Sequence, residues 1–150
     1  MKYRLIAGRD LDESLTEAWQ RIRRSDPAWS SPYFDPGFTR VMASVRDDVF
    51  VGLIEDATGT PVGFFPFHRL AGGRGRPIGL GLSDYHGLVC MPGVDWDVRP
   101  LLTACRLVRF DFDHLVNHRS AFDAGVASWA PSPIVFVTST GRARCAAHDS

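Results

Sequence analysis

The sequence predicts an α/β (α+β) domain whose mixed, mostly antiparallel sheet is flanked by helices. Three observations predict it. Apolar residues recur at helical spacing over Leu11–Arg24, and Asp35-Pro36 opens a second helical pattern. Two apolar runs, Val49–Glu55 and Pro61–Arg69, flank the polar turn Asp56-Ala57-Thr58-Gly59, which is the signature of a hairpin. A further helix-and-strand alternation follows them, so hairpin strands stand beside αβ units.

Taken in order, Tyr3–Ala7 reads as a short strand that Gly8 breaks. Asp10, with Glu13 three residues on, reads as a capping box for a helix over Leu11–Arg24, whose inward stripe is Leu11, Leu15, Ala18, Trp19 and Ile22. Arg21, Arg23 and Arg24 suit the negative end of its dipole. Pro27 and Pro32 make Ser25–Pro32 a loop. Asp35 caps the next helix and Pro36 takes its first position. Phe38, Val41, Met42 and Val45 form its expected buried stripe, ending near Arg46.

After the hairpin, Ala71–Pro77 reads as a glycine- and arginine-rich loop and Asp84–Cys90 as a strand closed by Pro92-Gly93. Asp95–Leu107 is the third expected helix, with Leu101, Leu102 and Cys105 inward. Val108–Phe112 reads as a short strand, His118–Trp129 as a short helix and Ser132–Thr138 as a last β-rich run. Ser139–Ser150 has almost no large apolar residue and reads as a disordered tail, which leaves one lobe over 1–138.

Composition narrows the function classes. A chain of 150 residues suits one domain with a real core. Formal net charge is zero, so nucleic acid and anionic membrane are not the expected partners. The run Phe64, Phe65 and Phe67 therefore reads as core rather than as a base-stacking platform. No apolar run approaches a membrane span, and Met1–Arg9 lacks a signal-peptide core. Cys90, Cys105 and Cys145 are widely spaced and odd in number, so a cytoplasmic location with small buried thiols is expected.

Several clusters could carry chemistry. Arg76-Pro77-Ile78-Gly79-Leu80-Gly81 fits an R/Q-x-x-G-x-G/A pattern, in which glycine amides approach a pyrophosphate at a helix start. The following residues read as strand, and Pro77 lacks an N–H, so a plain connection between strands is the other reading. Arg69, Arg74 and Arg76 either touch phosphate or form a solvated hairpin tip. In Asp84-Tyr85-His86, a strand would put Asp84 and His86 on one face, where the carboxylate could orient the imidazole as a base. The other reading is a structural cluster at a sheet end. His114 and His118 are four apart, but Leu115 stands where a zinc hydrolase needs Glu, so no metal is expected.

Three runs stand out together: Gly63-Phe64-Phe65-Pro66-Phe67-His68-Arg69, Pro77-Ile78-Gly79 with Leu82-Ser83-Asp84-Tyr85-His86-Gly87, and Phe110-Asp111-Phe112-Asp113-His114-Leu115. With Ser31-Pro32-Tyr33-Phe34 and Ser132-Pro133, they resemble the first lobe of FemAB-like, CelD-like acetyltransferases of the GNAT superfamily, often linked to cellulose biosynthesis. Arginine with abundant Ala and Gly, and Lys2 as the only lysine, suggest a GC-rich bacterial origin; the resemblance implies a transferase with two lobes, the second of which holds acetyl-CoA or another acyl-CoA. This chain would be the truncated or frame-shifted first half, binding no coenzyme alone. Asp84, Tyr85, His86, Asp113 and His114 would then line the acceptor side of the cleft, facing a small amine or hydroxyl substrate. The expected partner is the second lobe or a second copy of the chain. The alternatives are a partner-binding or dimerising module, and a stand-alone small acetyltransferase using Arg76, Gly79 and Gly81 for coenzyme A.

Overall fold

The computed structural model describes residues 1–116, Phe122 and the strand backbones 132–137 and 143–148. The chain divides into two compact units, Met1–Val116 and Asn117–Ser150. The first unit is a mixed α/β structure with three helices, α1 (Glu13–Arg24), α2 (Pro36–Val45) and α3 (Val98–Ala104). Its strands are β1 (Lys2–Ala7), β2 (Val49–Glu55), β3 (Pro61–Leu70), β4 (Arg74–Pro77), β5 (Val89–Cys90) and β6 (Arg109–Phe110). Every pairing in this sheet is antiparallel except that of β4 with β6.

The hairpin register decides which residues meet. Leu53 lies opposite Phe64 and Val51 opposite Pro66, so these four share one face of the sheet. Trp19 of α1 stacks on Phe64 there, with ring centroids 4.8 Å apart. Leu11, Ala18, Ile22, Trp29, Phe34 and Val89 complete that core. Gly52 and Phe65, opposite one another, face the other side. There the absent side chain of Gly52 admits α3: an added Cβ would lie 2.6 Å from Cys105 Sγ and 3.1 Å from Leu101 Cδ1. Leu101 and Cys105 are fully buried as a result.

β3 carries two partners along one edge. β5 pairs with Gly63 and Phe64, and β4 pairs with Phe67–Leu70. The Met91 N–H donates to the Val62 carbonyl, so even-numbered residues of β3 direct their backbone groups to this edge. Pro66 sits where neither strand pairs, and its missing N–H falls in the gap. A proline is tolerated in this interior strand for that reason. At the far edge, Arg74 and Arg109 lie directly across β4 and β6, and the Asp111 carboxylate bridges both guanidiniums.

Several expected boundaries move. The cap of α1 is Asp12, whose carboxylate accepts the Leu15 N–H at 2.8 Å; Gly8–Asp10 forms a separate 3-10 turn. Asp35 caps α2 through the Gly37 N–H, as its sequence predicts. The stripe of α2 is rotated, however. Pro36 and Thr39 are buried, while Val41 and Val45 are 63% and 72% exposed. The expected loop Ala71–Pro77 contains β4, and the expected strand Asp84–Cys90 is strand only over Val89–Cys90. The expected strand Val108–Phe112 shortens to Arg109–Phe110, and the third helix starts at Val98 behind an Asp97 cap.

In the second unit, β7 (Ser132–Val137) pairs antiparallel with β8 (Ala143–His148). β7 coincides with the last β-rich run. β8 falls within Ser139–Ser150. The expected helix His118–Trp129 lies outside the described residues, apart from Phe122.

Candidate functional site

Two buried histidines flank the gap beside Pro66. The first is His68, on the same face of β3 as Phe64 and fully buried. Its Nε2 lies 3.1 Å from the Gly79 N–H, and its Nδ1 lies 2.9 Å from Asp48 Oδ1. A backbone amide can only donate, so Nε2 is the acceptor and the ring proton sits on Nδ1, donated to Asp48. The Arg46 guanidinium, hydrogen-bonded to the same carboxylate, and then His68 hold the Asp48 carboxyl down at about 2 against the opposing effect of burial. The Asp48 backbone carbonyl also accepts the Arg69 N–H, which secures the start of β2 to β3.

Gly79 thus turns toward the interior. Its φ of 82° is the left-handed region that favours glycine, and a Cβ there would come 2.8 Å from the Phe38 ring. Leu80 follows with φ of 54°, and Leu80–Leu82 is a single 3-10 turn.

The second histidine is His86, also buried. Ser83 shapes its loop: the hydroxyl donates to the Tyr85 carbonyl at 2.8 Å. His86 Nε2 lies 2.8 Å from the Ser83 carbonyl and therefore donates. Nδ1 accepts the His114 N–H at 3.4 Å. The backbone is pinned as well, with His86 N–H donating to the His114 carbonyl and Val116 N–H to the His86 carbonyl, each at 2.8 Å. Asp113 Oδ1 lies 3.3 Å from Nδ1 of both His86 and His114.

Burial pushes the His86 imidazole below its ordinary value, partly offset by the Ser83 carbonyl and the Asp113 charge. Burial pushes the Asp113 carboxyl up, but its hydrogen bond to His114 and the charges of His86, His114 and Arg76 outweigh that, and it lies below the usual carboxylate range. Tyr33, Phe34, Pro66, Pro77, Tyr85 and His86 line a shallow cleft at the gap, with room for about one water molecule. Tyr33 and Tyr85 stack across it at 6.4 Å.

The structure therefore brings His86, Asp113 and His114 together, with Arg76 close enough to act on His86 and Asp113 through its charge, while the Tyr85 ring stacks on Tyr33. It does not bring Asp84 to His86. The chain turns at Leu80–Leu82 and bends at Asp84, Asp84 is exposed, and Asp113 supplies the carboxylate that faces the imidazole. Gly79 and Gly81 do not form a shared cradle: the Gly79 amide is engaged by His68, whereas Gly81 is exposed. Arg76 lies opposite His68 in the ladder, with its Nε buried and without a hydrogen-bond partner.

Among the described residues no group of three His, Cys, Asp or Glu side chains could hold a metal ion; His118 lies outside them. Burial raises the thiols of Cys90 and Cys105 to about 11 and about 12, so neither is a ready nucleophile. The Asp48–His68 pair escapes a reading based on local motifs, since its members are 20 residues apart. The hairpin register is the signal that could have found it, because Val49 pairs with His68 and Asp48 directly precedes Val49.

No protein-family model matches the chain, and no curated protein or solved structure does either. No helix among the described residues is long and apolar enough to cross a membrane.

Proposed function

We propose that this chain is the acceptor-side lobe of a GNAT-like, acyl-CoA-dependent acyltransferase and does not transfer acyl groups by itself. The order β1-α1-α2-β2-β3-β4, followed by α3, suits such a lobe, as do the sequence runs that resemble one. The observation that carries the reading is the hydrogen bond from the Gly79 amide to fully buried His68. It removes one of the two glycine amides on which a coenzyme pyrophosphate would rest, and Pro77 has no amide N–H to replace it. What remains is a water-sized cleft lined by Tyr85 and His86, and beside His86 the exposed Asp113 carboxylate paired with the half-exposed His114 imidazole. Such groups can orient an amine or hydroxyl and hold its proton, while the acyl-CoA rests on a companion lobe.

Calorimetric titration with acetyl-CoA tests this directly. The expected result is no binding at micromolar concentration, alongside NMR shift changes at Tyr85 and His114 when small amines such as polyamines or amino sugars are added. Micromolar acetyl-CoA binding lost in Arg76→Ala, or acyl transfer by the chain alone, would overturn the proposal in favour of a stand-alone acetyltransferase.

A dimerising role is the second reading, favoured by the exposure of Val41 and Val45 one turn apart on α2. Two copies of the chain could pair these valine ridges. Light scattering that reports a dimer, dissociated by Val41→Glu, supports it; a monomer at 100 μM (about 10⁻⁴ M, a weak-binding range) removes it.

A further inference from the structure

We propose that His86 is a proton-operated latch on residues 113–116, the segment by which the chain leaves the unit Met1–Val116. The inference stands apart from the acyltransferase reading, since it needs only the geometry of this one side chain. The ring is held at Nε2 by the Ser83 carbonyl, which requires a proton there. Nδ1 then has two competing neighbours on the exit segment, the His114 amide at 3.4 Å and the Asp113 carboxylate at 3.3 Å. They demand opposite states of the ring. The amide donates and needs a bare Nδ1; the carboxylate accepts and needs Nδ1–H.

Neutral His86 therefore holds the His114 backbone, and cationic His86 holds the Asp113 side chain instead. Asp113 can take up the proton-bearing ring readily, since its side chain is 68% exposed and free to adjust, whereas His86 is 3% exposed and fixed. The charged or titratable groups acting on the ring are Asp113 and His114 on the exit segment and Arg76 on β4. Asp113 and the Ser83 carbonyl favour the cation; burial, His114 and Arg76 oppose it.

The net direction is a depressed imidazole, so the neutral, amide-holding state is fully populated above the ordinary histidine range. It is lost as pH falls through the lower folded-state value. The His114 amide is thus held at neutral pH and released on acidification, when the ring turns its hold to the Asp113 side chain. The two backbone bonds between His86 and residues 114 and 116 set how far the segment can move.

The test follows the His86 and His114 ring carbons by NMR from pH 4.5 to 8, together with exchange protection of the His114 amide corrected for its intrinsic rate. The expected result is that protection of the His114 amide falls about tenfold or more with the midpoint of His86 and not that of His114. In Asp113→Asn the cation loses its partner, so both the His86 titration and the loss of protection move to lower pH. That variant alters a mostly exposed side chain and leaves the core intact. Three results would overturn the latch: His86 neutral throughout the range, His114 protection unchanged as His86 titrates, or an Asp113→Asn midpoint identical to that of the parent.

Discussion

Introducing a methyl group at Gly52 probes how α3 closes the sheet. In Gly52→Ala the new Cβ lies 2.6 Å from Cys105 Sγ and 3.1 Å from Leu101 Cδ1. Ordinary contact begins near 3.4 Å, so α3 must retreat by roughly 0.8 Å or Cys105 must change rotamer. Both Leu101 and Cys105 are fully buried, which leaves little room for either adjustment. Overpacking of this kind costs about 1–3 kcal/mol. Replacing glycine in a strand interior recovers some of that, since glycine weakens strands, so a net loss of about 1–2 kcal/mol is expected. For a chain of this size that corresponds to a fall in Tm of about 2–8 °C. The assay is urea unfolding followed by tryptophan fluorescence, repeated for Cys105→Ala and for the double variant. Cys105→Ala leaves a small void, and the methyl added at position 52 partly fills it. The double variant should therefore be more stable than the sum of the singles by about 0.5 kcal/mol or more. A Gly52→Ala protein as stable as the parent, with additive singles, would refute the packing of α3 onto Gly52.

Other outcomes follow from the same contacts. Asp48→Ala leaves the Nδ1–H of buried His68 without its acceptor and should cost about 1–3 kcal/mol; Asp48→Asn, whose amide oxygen still accepts from His68 but which loses the charge that holds Arg46, should recover only part of it. Because the Asp48 carboxyl is held at about 2 in the folded chain, its contribution is complete above about 4 and is lost as pH falls toward 2. Denaturation midpoints at pH 7 and pH 3 should therefore converge between the parent and Asp48→Asn. Asp12→Ala removes the cap of α1 and should cost about 1 kcal/mol, whereas Asp10→Ala should cost less than about 0.5 kcal/mol, both read by urea midpoints. Cys90 and Cys105 should resist iodoacetamide at pH 8 in the folded chain, as judged by peptide mass spectrometry; prompt alkylation of Cys105 would mean that it is not buried against the sheet.

Local chemistry made much of the fold legible. Asp35-Pro36 predicts the start of α2 because a carboxylate cap and a proline without N–H act within one turn of themselves. The hairpin β2–β3 follows from two apolar runs around Asp56–Gly59, and the Trp19 and Ile22 stripe from spacing alone. The site was legible only in part. Tyr85, His86, Asp113 and His114 stand out as reactive types, yet the grouping of His86 with Asp113 and His114 depends on the His86–Leu115 bridge, which joins segments about 30 residues apart.

What the sequence by itself determined is the identity of the helices, the hairpin and most of the inward-facing apolar side chains, since periodicity and capping act over a few neighbouring residues. Only the tertiary structure decided that α2 turns Val41 and Val45 outward, that Asp113 rather than Asp84 faces His86, and that the Gly79 amide points to His68. The last two depend on which strand meets which along the two-partner edge of β3, and the first on how α2 packs against the Gly8–Asp10 turn and β2. That choice is set by the packing of whole side chains against the sheet, and no short stretch of sequence contains it.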